Sequence, residues 1–308
     1  MIEKAMSDTR KKRNKVCFGK SEEKWVIFLF LFLPVGLLLL FSYYPALKLV
    51  ELSFSDWNGF SAEYGYVWFE NYRAIFQDTK ILRAFINTMA YVVIGLVQVL
   101  AGLYLAILLN TNIRFRNFYK AVLFMPYVLN TIAVAFMFNF LYGFETNPIN
   151  LFLNAVGLGK YAVHWLSESY LSNFSLAFIG MWCYTGFAII LFIGALQSIP
   201  LEQFEAADID GANFWHKIRY IVIPGIKSIV GLNLFLSLNG SLQAYYQPFV
   251  ITKGGPAGAT DTFVTSTMST AFDYSNFGKA SAMGVVLFLV ISAVVLLQKK
   301  IIGKEKRV

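Results

Sequence analysis

Six long stretches without any Asp, Glu, Lys, Arg or His limit what this chain can fold into. Each has 19 to 27 residues, and the stretches are 25–46, 84–110, 121–144, 173–199, 228–252 and 280–298. A helix that rises ~1.5 Å per residue needs about 20 residues to cross a hydrocarbon layer of ~30 Å. The pattern therefore predicts an all-α membrane protein with six transmembrane helices.

The composition supports this prediction. Of the 308 residues, 57% are hydrophobic and only 14% are charged, with a mean hydropathy of +0.57. A soluble domain of this length has too few interior positions to bury so much apolar surface. The first stretch is longer than the apolar core of a secretory signal and lacks a small-x-small cleavage site. We therefore expect it to be a retained span.

The distribution of Lys and Arg predicts the orientation. Eight of these residues lie in the tail 1–24, three lie between the second and third stretches, and five lie after residue 298. The links 143–172 and 253–278 have one each. Because Lys and Arg are enriched in cytoplasmic loops, both termini and the link between the fourth and fifth stretches are predicted to be cytoplasmic.

The predicted organisation is one membrane domain between two short tails. A basic cytoplasmic tail, 1–24, precedes the six-helix domain, 25–302, and a second basic tail, 303–308, follows it. The two cysteines and two histidines lie too far apart in sequence to indicate a disulfide framework or a metal site. The phosphate-binding pattern GxxxxGK[ST] is also absent, so the chain itself is not expected to hydrolyse ATP. No catalytic residue, cofactor, metal or nucleic-acid partner is predicted.

The link between the fourth and fifth stretches has the features of an ordered element. It reads LEQFEAADIDGANFWHKIRYIVIPGIK and spans 201–227. Pro200 suits a helix start, Gly211 interrupts the helical run, and Pro224 closes it. The link 201–227 is therefore predicted to form a short helix, a glycine turn and a second short helix that leads into the fifth span.

Part of this link resembles the EAA motif of binding-protein-dependent ABC importer permeases. The matching residues are Glu205, Ala206, Ala207, Asp210, Gly211, Ala212, Ile221 and Pro224. The resemblance implies the type I ABC importer permease fold and a coupling contact with cytoplasmic ATPases. The residues to which it assigns that contact are Glu205, Ala206, Ala207, Asp210, Gly211 and Ala212.

Other stretches are similar to the carbohydrate branch of that family, of the maltose, lactose and multiple-sugar type. They include FMPYVLN (124–130), GALQSIP (194–200) and ITKGGPAGATDT (251–262), and their order resembles the first of two permease subunits. This resemblance implies a multi-pass protein of the bacterial cytoplasmic membrane, surrounded by lipid, that imports a sugar or oligosaccharide by alternating access. The implied partners are a second permease, ATP-binding cassette subunits and an extracytoplasmic solute-binding protein.

Similarity to maltose-type permeases also implies a solute pathway. The matching positions are Gly180, Cys183, Tyr184, Phe187, Ser237, Gly240, Ser241 and Ala244. They share faces of the fourth and fifth spans at helical spacing. Packing of small residues between helices explains the same pattern, so both interpretations stay open. Asn239, Gln243 and Gln247 are expected to lie off this face, towards a partner subunit.

The spans indicate the class of solute. They contain Asn, Gln, Ser, Thr, Tyr and Trp but no ionisable acid, base or histidine. An ion-coupled secondary carrier that works alone would place such a group within a span. Uncharged hydrogen-bonding groups favour a neutral polyhydroxy solute. The nearest alternative is a charged solute such as glycerol phosphate, with its basic contacts supplied by a partner.

Overall fold

The computed structural model describes four segments of the chain, 20–111, 113–143, 147–167 and 169–302. In these segments the regular structure is helical, and the one β feature is an isolated bridge between Ser55 and Tyr66. The described chain divides into two compact units, with the boundary between Glu51 and Leu52. The first unit contains α1, Lys20–Leu38, which continues through a π-helical turn into α2, Tyr44–Leu52, whose last residue lies just past the boundary.

The second unit contains the remaining helices. In chain order they are α3 Glu70–Gln77, α4 Thr79–Asn110, α5 Arg116–Val128, α6 Thr131–Leu141, α7 Pro148–Ala155, α8 Ser169–Leu196, α9 Leu201–Ile209, α10 Phe214–Lys217, α11 Ile223–Gly225, α12 Lys227–Leu242, α13 Phe263–Phe272 and α14 Phe277–Ile302. Four of the described helices are long and apolar enough to cross a membrane, and two bent helix pairs raise the number to as many as six. The all-α membrane fold is therefore confirmed.

The third predicted span, 121–144, is a bent pair of helices. α5 and α6 meet at 98°. Pro126 lacks a backbone N–H, and Leu129 is extended, so α5 ends there. Asn130 then begins α6, because its side chain accepts hydrogen bonds from Ile132 N (2.9 Å) and Ala133 N (3.2 Å). An apolar run without charges cannot reveal such a break.

The fifth predicted span, 228–252, is also interrupted. α12 ends at Leu242, and the chain turns before a π-helical turn at Pro248–Thr252. At its beginning, α12 makes an angle of 73° with the segment that runs from Phe214 to Gly225. Pro224 and Gly225 precede this bend, and neither residue favours a continuous helix.

The core of the second unit is the interface between α4 and α8, where small residues allow close approach. A β-carbon added to Gly102 would lie 3.0 Å from the β-carbon of Ala188. Further along α8, a β-carbon at Gly186 would collide with the backbone of α5 at Leu123. Phe192 of α8 is fully buried in the apolar cluster at this interface. Helices in membranes associate through such close packing because lipid supplies little hydrophobic driving force.

Hydrogen bonds tie the segment between α12 and α13 to two long helices, and one carbonyl group of the segment accepts from both helices. The oxygen of Ala259 accepts hydrogen bonds from Asn87 Nδ2 of α4 (3.0 Å) and Asn173 Nδ2 of α8 (2.9 Å). The Thr262 hydroxyl donates to the oxygen of Ala244 at 2.7 Å. All of these residues are buried, where hydrogen bonds are costly to leave unmade. The segment is therefore tied to the helices that surround it.

An ion pair joins the beginnings of α4 and α14. Asp78 Oδ2 lies 3.0 Å from Lys279 Nζ, and Asp78 Oδ1 accepts a hydrogen bond from Lys80 N at 3.0 Å. Partial burial opposes ionisation of Asp78, but the hydrogen bond and charge of Lys279 outweigh it, so the pKa of Asp78 lies below its ordinary value. Asp78 therefore both caps α4 and links it to the last helix.

Candidate functional site

A cavity of about 560 Å³ lies where α4, α5, α8 and α12 meet. Ligand pockets in proteins typically measure ~300–1,000 Å³. The lining residues are Tyr91, Ile94, Gly95, Gln98, Tyr127, Ala177, Gly180, Met181, Tyr184, Phe187, Ala188, Asn233, Leu236, Ser237, Asn239, Gly240, Ser241, Gln243, Ala244, Tyr245, Tyr246 and Gln247. None of these described residues is charged, and hydroxyl, amide and aromatic groups predominate.

The structure brings together seven of the eight residues that the sequence proposed for a solute pathway. These seven line the cavity: Gly180, Tyr184, Phe187, Ser237, Gly240, Ser241 and Ala244. Cys183 is not among the lining residues. It is buried in an apolar cluster with Leu176 and Ile179, and its thiol lies beside the Tyr246 hydroxyl. Cys183 lies at the edge of the helical face that carries Gly180 and Tyr184, so its side chain points into the core and not into the cavity.

The structure also places Asn239, Gln243 and Gln247 at the cavity, although the sequence predicted that they face a partner subunit. Gln243 Nε2 donates to Asn239 Oδ1 at 2.7 Å. The prediction of a single helix over 228–252 assigned faces by a period of 3.6. Because α12 ends at Leu242, that period gives no information about Gln243 and Gln247, which lie beyond it. Asn239 lies within α12, so the face that this helix turns towards the cavity is broader than predicted.

The contribution of α4 was not predicted, although its sequence contains a signal. Tyr91, Gly95 and Gln98 all line the cavity from this helix. They recur at i, i+4 and i+7, which is the spacing of one helical face. The helical spacing that placed Gly180 and Tyr184 on one face of the fourth span therefore also identifies these residues of α4.

One side of the cavity is an aromatic wall formed by Tyr127, Tyr184 and Phe187. The rings of Tyr127 and Phe187 are stacked, with centroids 4.8 Å apart and an interplanar angle of 17°. Tyr184 meets Tyr127 edge to face at 5.9 Å. Such a wall offers a rigid apolar surface together with two hydroxyl groups. It can therefore contact both the apolar face and the polar groups of a ligand.

The two serines of α12 at the cavity differ in their contacts. Ser237 Oγ donates to the Gly95 carbonyl oxygen at 2.8 Å. A β-carbon at Gly95 would lie 2.8 Å from Ser237 Oγ and would collide with Ser241 Oγ, so glycine is needed for this approach of α4 and α12. Ser237 thus lines the cavity and also packs two helices. The packing interpretation therefore holds for this residue, and its place on a solute pathway stays a prediction.

The link 201–227 has the predicted sequence of helix, glycine turn and helix. α9 ends in a Schellman motif, in which Gly211 has a φ of +71°. The Gly211 N–H donates to Asp208 O (3.1 Å) and the Ala212 N–H to Ala207 O (2.8 Å). Asn213 then caps α10 by accepting a hydrogen bond from His216 N at 2.9 Å. Gly211 supplies a left-handed backbone conformation that most residues adopt only with strain.

The residues of the EAA-like motif lie mainly at the surface of this link. Glu205, Ala206, Asp210 and Gly211 are exposed, whereas Ala207 and Ala212 are half-buried. Several large apolar side chains of the link are also exposed, above all Ile209 at 87% and Trp215 at 72%. An ion pair between Lys217 and Asp208 joins α10 to α9. Phe204 anchors the link by packing against the apolar cluster between α4 and α8.

The sequence of this chain is similar to a family of transport proteins and to individual members of it. The family model for the "binding-protein-dependent transport system inner membrane component" matches residues 98–308. The probable ABC transporter permease protein YurN of Bacillus subtilis is 32% identical over 291 residues, which cover 93% of this chain and 99% of YurN. The diacetylchitobiose uptake system permease protein NgcF of Streptomyces coelicolor is 31% identical over 318 residues, with coverages of 98% and 89%.

A solved structure has a similar fold. It is a chain of a bacterial alginate ABC transporter crystallised in complex with an alginate pentasaccharide-bound periplasmic protein. The TM-score is 0.77, the sequence identity is 21%, and the match covers 90% of this chain and 93% of that one. This likeness shows that the helical arrangement is shared.

Proposed function

The chain belongs to the family of binding-protein-dependent transport system inner membrane components, and we propose that it is the permease subunit through which an ATP-driven importer moves a neutral sugar or oligosaccharide. As a transport subunit it is not an enzyme. The observation that carries the proposal is the uncharged cavity, lined by hydroxyl, amide and aromatic groups.

The lining matches the chemistry of a carbohydrate. Hydroxyl and amide groups can exchange hydrogen bonds with sugar hydroxyls, and the aromatic wall can stack on the apolar face of a sugar ring. A charged solute such as glycerol phosphate requires basic groups nearby, and the described lining residues include none. The name of the relative that takes up diacetylchitobiose also supports a saccharide. We therefore favour a neutral saccharide over a phosphorylated solute.

The link 201–227 supports ATP-driven coupling. We propose that Glu205, Ala206, Ala207, Asp210, Gly211 and Ala212 contact an ATP-binding cassette subunit on the cytoplasmic side. The exposed apolar side chains of Ile209 and Trp215 can enter a groove on that subunit, and Phe204 connects the link to the core. Closure of the ATPases would then move the helices that line the cavity.

The proposed assembly has a second, similar permease, two ATPases and an extracytoplasmic binding protein. We infer that this chain crosses a bacterial cytoplasmic membrane six times, with tails 1–24 and 303–308 on the cytoplasmic side, and the distribution of Lys and Arg supports this orientation. A thiol probe that cannot cross membranes tests the orientation. Single cysteines at Trp215 and Tyr161 are introduced for this purpose, since both side chains are exposed. The first should react only from the cytoplasm and the second only from outside.

The function is tested with the complete complex in proteoliposomes. Labelled neutral disaccharides and glycerol 3-phosphate are offered in turn with the binding protein outside and ATP on the side of the ATPases. We expect ATP-dependent accumulation of at least one neutral saccharide and none of glycerol 3-phosphate. Uptake of glycerol 3-phosphate alone would contradict the proposal, as would uptake that does not depend on ATP.

A further inference from the structure

Three buried polar atoms of residues that line the cavity lack hydrogen-bond partners within the described structure: the hydroxyl oxygens of Tyr91 and Tyr246 and the Oε1 atom of Gln247. The Tyr246 hydroxyl lies beside the Cys183 thiol, so the Tyr91 hydroxyl and Gln247 Oε1 are the pair to explain. Both residues line the cavity, and each has only 4% of its surface exposed. A buried polar group normally has a partner, because leaving it unpaired costs free energy. This pair therefore requires an explanation.

Several nearby buried polar groups have partners within the protein. Asn87 and Asn173 donate to Ala259 O, and Ser237 donates to Gly95 O. Tyr142 is the closest comparison, since it belongs to the same apolar cluster as Tyr91 and is similarly buried. Its hydroxyl donates to Ser175 O at 3.3 Å. A buried tyrosine hydroxyl in this cluster can therefore find a partner within the protein, whereas that of Tyr91 has none there.

The position of Gln247 depends on a glycine of the opposite helix. A β-carbon at Gly180 of α8 would lie 3.0 Å from Gln247 Nε2. Gly180 therefore allows the amide to lie close to the backbone of α8. Tyr91 comes from α4, and Gln247 follows the end of α12. Three separate elements thus bring the two polar side chains to one cavity.

We propose that Tyr91 and Gln247 recognise hydroxyl groups of the transported saccharide and help to determine which saccharide is accepted. This inference rests on the proposed function. Both atoms are covered in the present conformation, so a solute hydroxyl reaches them only as the cavity adjusts around it. Pairing with the solute then removes the cost of the unpaired groups and stabilises the solute-bound conformation relative to this one. Gly180 acts as a positioning residue for Gln247.

The test separates recognition from structural support. Tyr91→Phe and Gln247→Leu remove the unpaired groups and keep most of the side-chain volume. Tyr142→Phe is the matched control, because it removes a hydroxyl group that has a partner. For each variant we measure uptake of several saccharides by the reconstituted complex and the melting temperature of the complex without saccharide.

We expect Tyr91→Phe and Gln247→Leu to leave the melting temperature unchanged or higher and to lower uptake of the preferred saccharide by about two- to tenfold. The loss should differ between saccharides. Tyr142→Phe should lower the melting temperature and affect all saccharides alike.

Two results would overturn the inference. One is unchanged uptake of every saccharide by both variants. The other is a lower melting temperature with an equal loss for every saccharide, which would show that the two groups support the fold. If the wild-type complex transports no neutral saccharide, the proposed function itself fails, and the two failures are therefore distinguishable.

Discussion

The link 201–227 and the cavity are built in opposite ways. The link consists of consecutive residues, and its form depends on backbone conformation at Gly211. The cavity collects side chains from four helices, and its lining extends along the sequence from Tyr91 to Gln247. The link is exposed at the surface, whereas the cavity lies between packed helices. A local element can be recognised as a motif, but a cavity of this kind becomes visible only when the helices are assembled.

This contrast leads to different expectations for mutations. At the link, the conformation of one residue should matter more than the identity of its side chain. At the cavity, individual side-chain atoms should matter, and their effects should differ between saccharides.

The largest effect is expected for Gly211→Val. Among the described residues, no atom beyond the immediate neighbours lies within 4 Å of an added β-carbon, so the cost comes from the left-handed backbone itself. Such strain costs ~1–3 kcal/mol, which corresponds to a roughly 5- to 150-fold change in an equilibrium. Uptake and saccharide-stimulated ATPase activity of the complex should fall together for all saccharides, when normalised to the amount of permease in the membrane.

Gly211→Asn is the matched control for this prediction. Asparagine tolerates the left-handed region better than a β-branched residue does. We expect this variant to retain most of the activity. If the valine and asparagine variants lose equal activity, the backbone turn is not what the link requires, and the contrast with the cavity fails.

An effect of the same order, but one that differs between saccharides, is expected for Tyr184→Ala in the aromatic wall. The change removes a ring surface and a hydroxyl group, each of which contributes ~0.5–1.5 kcal/mol, so uptake should fall by about 5- to 150-fold. The loss should depend on the saccharide, while ATPase activity without saccharide should change little. Tyr184→Phe, which keeps the ring, should lose less. Equal losses for every saccharide, in proportion to lower abundance, would remove Tyr184 from the solute pathway.

A smaller effect should distinguish the two serines of α12. Ser241→Ala should lower uptake by about two- to tenfold and unequally between saccharides, as expected for a lost solute contact. Ser237→Ala should instead lower thermal stability by ~0.5–1.5 kcal/mol, because it breaks the hydrogen bond to Gly95 O. Its effect on uptake should be similar for all saccharides. If Ser237→Ala instead lowered uptake of some saccharides much more than others, Ser237 would act mainly on the solute and not through its hydrogen bond to α4.

The smallest effect is expected for Asp78, which lies outside both regions. Its pKa is lower in the folded protein than the ordinary value of 3.8, so the carboxylate contributes stability above that pH. The contribution is lost as the pH falls through the folded pKa. Asp78→Asn keeps a capping residue but removes the ion pair with Lys279, which we expect to be worth ~0–1 kcal/mol.

The measurement for Asp78 is the melting temperature of the detergent-solubilised complex from pH 6 to pH 3. Below about pH 4 the wild-type complex should lose its small advantage over Asp78→Asn. Saccharide preference and ATPase stimulation should stay the same at neutral pH. A change in either would mean that the pair is coupled to the cavity or to the link.

The sequence predicted the fold class and the form of the link because both depend on local signals. Runs without charge indicate helices in lipid, and the DGA tripeptide around Gly211 indicates the end of a helix. The breaks at Asn130 and after Leu242 were not predicted. At each break, a capping residue or a turn is more stable than a continued helix. The pattern of apolar residues alone does not show which of the two forms.

The candidate site was predicted in part. Helical periodicity placed Gly180 and Tyr184 on one face, but it also included Cys183, which packs into the core. It placed Gln247 away from the face because it assumed a helix that continues past Leu242. The contact between Ser237 and Gly95 joins residues 142 positions apart. No local pattern in either segment indicates that pair.

The shared carbonyl group of Ala259 has a consequence for how this protein can change during evolution. The acceptor belongs to the backbone, so a replacement at position 259 that preserves the local conformation retains both hydrogen bonds. The donors are side chains, and loss of Asn87 or Asn173 would remove a hydrogen bond that ties this segment to α4 or to α8. Position 259 should therefore tolerate other side chains that fit the space around it. Asn87 and Asn173 should tolerate few replacements, because their backbone acceptor is present whatever residue occupies position 259.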